Sequence, residues 1–195
     1  MARTATAPER LPFTGDEEAD RLIASSPVAL LIGFVLDQQV TVQKAFAGPL
    51  ELRKRLGHLD VAKIAALDPE VLATTFRERP ALHRFPAAMA DRVRALCAFL
   101  EQRYSGDAAR IWREAESGQD LKARLSELPG FGDMKVRTVM TLLARQFGVD
   151  RPGIAEMLPA HQTLGDVRTA EELASYQAGK RAAKAARRAA AADKS

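Results

Sequence analysis

Apolar residues recur through most of this chain at intervals of three and four, the period of helices that bury one face, with polar residues between them. Leu121, Leu125 and Leu128 form one such stripe, with Lys122, Arg124 and Glu127 on other faces. A second stripe runs through Val136, Val139, Met140, Leu143 and Phe147 and stops at Gly148. Upstream, Asp16 caps a short helix through Ala24, and Ser26-Pro27 reads as an N-cap followed by proline at the first helical position. The helix so opened runs to Asp37 and is apolar nearly all round, which predicts the central buried element. Thr41 starts another helix, interrupted at Gly48-Pro49 and resuming to Leu56-Gly57. Asp60–Ala66 and Asp68–Phe76 read as short capped helices, Arg77–Pro86 as a loop, Ala87–Arg103 as an amphipathic helix, and Asp107–Glu116 as one more helix through Trp112. From 149 to 170 the periodicity fades around Pro152, Gly153, Pro159 and Gly165, and it returns at Thr169–Gln177.

Composition narrows this picture to an all-α helical bundle. Of 195 residues 47% are apolar and only 6% aromatic, and β-branched runs are scarce, so the chain can bury one full core without strands. We expect a flexible leader over 1–15, a helical domain over 16–176 and a basic Ala/Lys/Arg-rich tail over 177–195. The single cysteine, Cys97, excludes an internal disulfide and a four-cysteine iron–sulfur cluster, and its place on an apolar face with Val93 and Leu100 reads as core, as does Trp112. Three scattered histidines give no zinc-ligand spacing. Met1–Arg10 lacks an apolar signal segment and the longest apolar run, Val28–Leu36, is too short to span a bilayer, so the expectation is a soluble cytoplasmic monomer with no membrane partner. Of the net charge of +4, the stretch 178–195 contributes +5 through Lys180, Arg181, Lys184, Arg187, Arg188 and Lys194 against Asp193, which leaves the preceding residues at −1. Affinity of the body for a polyanion must then come from local placement of charge.

Between the two stripes stands Leu128-Pro129-Gly130-Phe131-Gly132-Asp133-Met134-Lys135. Two glycines one residue apart at a helix start permit a positive φ and a close backbone approach, and they aim amides outward at the positive end of the helix dipole. A phosphate is favoured there.

The Leu-Pro-Gly-Phe-Gly turn and its two helices, 121–147, resemble the helix-hairpin-helix of the helix-hairpin-helix/GPD superfamily of base-excision DNA glycosylases. Ala29-Leu-Leu-Ile-Gly-Phe-Val-Leu-Asp-Gln-Gln-Val40 is similar to that superfamily's apolar helix ending in a glutamine turn, so the resemblance covers roughly 27–148. It implies that amides near Gly130, Phe131, Gly132 and Met134 hold a phosphate of double-stranded DNA without reading sequence, and that carbonyls of Ser126, Leu128 and Phe131 hold a monovalent cation beside it. It also implies a glutamine, Gln38 or Gln39, that fills the gap left by a flipped nucleotide, with Gln39 preferred, and a catalytic aspartate after the second helix, where Val149-Asp150 stands. Glu156 and Asp166 are weaker substitutes for Asp150, which follows Gly148 without the family's short extended segment. The family's lyase lysine lies two residues after the second glycine, which is Met134 here; Lys135 is rotated by about 100° and no lyase activity is expected. Lys135, Arg137 and Arg145 read either as phosphate neighbours or as solvated charges, and His83-Arg84-Phe85 reads as a loop packed by Phe85.

The leading expectation is a monofunctional DNA N-glycosylase of base-excision repair, without cofactor and associated with the nucleoid. The alternative is a DNA-binding member that keeps the hairpin and has lost the chemistry, since few residues follow Gly148 to build a second lobe. The third reading is a helical protein whose hairpin mediates protein contacts.

Overall fold

The computed structural model describes residues 7–192. Among them the regular elements are helices: α1 (Glu17–Ser25), α2 (Pro27–Leu36), α3 (Val42–Leu56), α4 (Val61–Ala66), α5 (Pro69–Arg77), α6 (Pro86–Tyr104), α7 (Arg110–Arg113), α8 (Gly118–Ser126), α9 (Asp133–Arg145), α10 (Ile154–Met157) and α11 (Ala170–Ala192), with a short 3-10 turn at Leu164–Asp166. No single helix among the described residues is long and apolar enough to cross a membrane.

Local chemistry sets the starts of six of these helices. Asp16, Ser26, Thr41, Asp60, Asp68 and Ser117 each accept a backbone N–H from the first turn of α1, α2, α3, α4, α5 and α8. α2 is the hub, with Ala29 to Leu36 all buried. It packs against α1, α3 and α6, while α4 and α5 pack on α6, and α5 also meets α3. Phe34 meets Phe46 of α3 edge to face at 5.0 Å and Phe131 beyond α8 at 6.5 Å, so the α8–α9 pair is tied to the hub by its connecting turn.

Four sequence expectations are corrected. Leu11 and Phe13, assigned to the leader, are fully buried: Asp20 accepts the Phe13 and Thr14 amides, and Phe13 sits 5.1 Å from Phe46. α3 runs straight through Gly48-Pro49, because the missing Cβ of Gly48 leaves room for Leu36 and packing on α2 outweighs the hydrogen bond that proline removes. The helix through Trp112 is only α7, although Trp112 and Cys97 are core as expected. α11 crosses the 176/177 boundary as one helix. Residues 1–6 of the leader and Lys194 lie outside the described residues.

Candidate nucleic-acid interface

Leu128 O accepts the Phe131 N–H at 3.1 Å, with Pro129 and Gly130 between them and Gly130 at φ +80°, which makes a type II turn whose third position requires glycine. Phe131 is 7% exposed, so its side chain anchors the turn in the core, and its amide is spent on Leu128 O. Gly132 is different from Gly130. Its φ of −85° suits any residue, and a Cβ there would meet nothing within 4 Å. It stands at the N-cap of α9, where it provides no side-chain cap. Val136 N–H reaches Gly132 O, but among the described residues the amides of Gly132, Asp133, Met134 and Lys135 have no acceptor. Met134 is 77% exposed beside them. Asp133 is drawn aside by Arg137 at 3.0 Å and Lys122 at 3.8 Å. The carbonyls of Ser126 and Phe131 accept no hydrogen bond among the described residues, and that of Leu128 is shared with the Phe131 amide.

The glutamine turn after α2 is held from several sides. Gln38 Nε2 donates to Val35 O at 2.9 Å while its Oε1 accepts from Arg92 of α6, so this side chain positions the turn and is not free for DNA. His83, 1% exposed, accepts the Phe85 N–H at Nδ1 (3.0 Å); its proton is therefore on Nε2, which donates to Gln38 O at 2.9 Å. Burial pushes the His83 pKa below its ordinary value, with Lys44 and Arg84 adding to the effect and backbone oxygens opposing it. It is thus His83 that packs this loop; Phe85 is 42% exposed with Arg84 over its ring. The result is that Gln39 projects into solvent at φ +56°, a left-handed conformation costing a non-glycine residue roughly 1–2 kcal/mol.

Between the two turns lies a group that sequence reasoning passed over. Asp37 caps the C-terminus of α2, half-buried. Burial raises its pKa, and the positive charges of Lys180 on α11 and Lys135 on α9 offset part of that rise. Burial likewise pushes Lys135 down to about 8, with Asp37 acting the other way and Arg92 adding to the depression. Lys135 Nζ folds back to Gly130 O at 3.3 Å and lies 5.4 Å from the Phe131 ring centre. The only sequence signal was an acid closing a helix otherwise apolar on every face.

The remaining candidates fall elsewhere. Asp150 is exposed in the loop beyond the C-terminus of α9, ~20 Å along that helix from Gly132 at 1.5 Å per residue, and the structure does not bring it to either turn. That loop is tied to the start of α8 by Gly118 N–H donating to Pro152 O at 2.8 Å. Asp166 is occupied by Thr163 and Arg145, and Arg145 is thereby also accounted for. Arg137 points about 200° around α9 from Lys135. It lines a recess of about 430 Å³ with Lys122, Met140, Glu156 and His161. The Cys97 thiol, pushed to about 12 by burial, is inert. Compared with known proteins, the chain matches no family model, no curated protein sequence and no solved structure.

Proposed function

We propose that this protein binds duplex DNA by its phosphate backbone at the Leu128–Lys135 turn, inserts Gln39 into the base stack, and serves base-excision repair as a monofunctional N-glycosylase-like protein. The observation that carries the reading is Gly132. Neither its backbone angles nor its surroundings call for glycine, and a capping residue there would serve the helix as six others are served. What the absent side chain does preserve is a clear approach to the open amides at the head of α9, the environment a phosphate oxygen prefers.

Charge supports the same face. Lys44 and Arg84 lie near His83, Arg92 bonds Gln38, and Lys135 and Lys180 lie near Asp37, so cations gather at the two turns although residues 1–177, which exclude Lys180, sum to −1. The carbonyls of Ser126, Leu128 and Phe131 suit a monovalent cation beside the phosphate, since two of them have no donor. The remote Asp150 favours the non-catalytic alternative over a glycosylase that uses that residue.

The test is binding of a random-sequence duplex by fluorescence anisotropy, together with base release from a panel of lesion-bearing duplexes. Gly132→Arg adds bulk and a positive charge; we expect weaker binding despite the charge. Equal or tighter binding by a folded Gly132→Arg variant would remove the turn from the interface.

A further inference from the structure

We propose that Asp37, and not Asp150, is the carboxylate that faces the sugar of an extruded nucleotide, with Lys135 beside it as proton donor to the departing base. The inference rests on the DNA-repair reading above. It follows from placement. Asp37 is two residues from Gln39, within about 7 Å along the backbone, so a nucleotide displaced by that side chain emerges next to it. The Asp37 amide is spent on Gly33 O at 3.0 Å, yet its half-buried carboxylate accepts no hydrogen bond and makes no close ion pair among the described residues. A partly desolvated carboxylate left without a partner beside an exposed, conformationally strained residue is a group kept available for something outside the fold. Lys135, on α9, is held over Phe131 and against Gly130 O, close enough to Asp37 for each charge to act on the other, and so links Asp37 to the turn proposed to hold a phosphate.

The chemistry balances with water alone. The C1′–N bond breaks with its electron pair leaving on the base nitrogen, which takes a proton from the Lys135 ammonium. Asp37 stabilises the cationic sugar and receives one proton of the attacking water as its oxygen bonds to C1′. Passing that proton from Asp37 to Lys135 restores both groups. The depressed pKa of Lys135, about 8, suits a donor that must give up and regain a proton near neutrality.

The test needs no knowledge of the base. Two duplexes are compared, one carrying a tetrahydrofuran abasic site and one a pyrrolidine ring whose protonated nitrogen mimics the sugar cation. We expect the full chain to prefer the pyrrolidine duplex by about tenfold or more. Asp37→Asn should abolish that preference, Lys135→Gln should strengthen it by removing a repelling charge, and Asp150→Asn should leave it unchanged, with thermal melting confirming that each variant is folded. A merely structural role for the pair would not move the preference in opposite directions. Equal affinity of the wild type for both duplexes, or a preference that survives Asp37→Asn, overturns the inference while the binding reading stands. Failure to bind either duplex overturns both.

Discussion

Gly132→Asp sets folding against binding at a single residue. Position 132 has φ −85° and ψ 170°, close to the extended geometry of the other N-caps, and a side chain there enters open space. Asp16, Asp60 and Asp68 already fill the equivalent position with carboxylate-to-amide distances of 3.0, 2.9 and 2.8 Å, so the same molecule shows the bond that the variant would form. Replacing glycine by a capping carboxylate contributes a few tenths of a kcal/mol as a cap and roughly 0.3–1 kcal/mol against the helix dipole. Asp133 reduces the second figure, though Arg137 and Lys122 hold its charge to one side. A gain of about 0.5–1 kcal/mol corresponds to a rise in Tm of roughly 1–4 °C for a chain of this size. Binding should move the other way. The new carboxylate takes the amides proposed to hold a phosphate and places a like charge where that phosphate would sit. At about 1.5–3 kcal/mol for hydrogen bonds to a charged group, the loss is on the order of 10- to 150-fold in Kd. The assays are differential scanning fluorimetry and anisotropy on one duplex. Wild-type affinity in the variant would refute the phosphate assignment, and a fall in Tm of several degrees would show that the fold itself needs Gly132.

Three further outcomes are expected. Gly165→Ala should destabilise by about 1–3 kcal/mol in urea titration, because its Cβ would stand 2.5 Å from Leu142 N and 2.7 Å from Thr138 O, both backbone atoms; a change under ~0.5 kcal/mol would contradict that close approach. With its pKa near 8, Lys135 is about half neutral at pH 8, whereas an ordinary lysine is roughly 0.3% neutral, so mass spectrometry after brief acetylation should find Lys135 modified first and protected by duplex. The sign follows from Asp37, whose charge raises the Lys135 pKa: Asp37→Asn should speed the labelling, and slower labelling would contradict the coupling. Deleting 178–195 removes six basic residues; if Lys180, Arg181 and Lys184 follow the DNA backbone, the salt dependence of log affinity should lose about two or more units of slope, and an unchanged slope would exclude the tail.

What the sequence revealed was what its neighbours in the chain decide. Caps such as Asp16, Ser26 and Thr41 act on amides three residues away, and the all-round apolar character of α2 dictates its central place. The type II turn is legible for the same reason, since Pro129 and Gly130 carry its angles. What stayed hidden depends on distant partners. Gln38 looked like a free amide until Arg92 of α6 closed on it, and Asp37 looked like a plain helix end until α9 and α11 placed Lys135 and Lys180 near it. Leu11 and Phe13 were concealed by the prolines and glycine around them, which mask a short buried strap. The distance from the turn to Asp150 follows from the straight run of α9 and the tether from Gly118 to Pro152.

The close seat of Gly165 against α9 fixes the course of α11. Thr138 and Leu142 touch it at mid-helix, Gln146 grips the carbonyls of Gly165 and Val167 at 2.8 and 3.0 Å, and Arg168 bonds Arg145 O at 2.9 Å just before α11 departs. Leu173 and the paired amides of Gln43 and Gln177 then fix the first turns of α11 to the body. α11 thereby starts beside the C-terminal end of α9 and returns along the body, which brings Lys180 near Asp37. Under the proposed reading, a helix anchored in this way offers its first basic residue at a fixed place, where a loose tail would offer it anywhere.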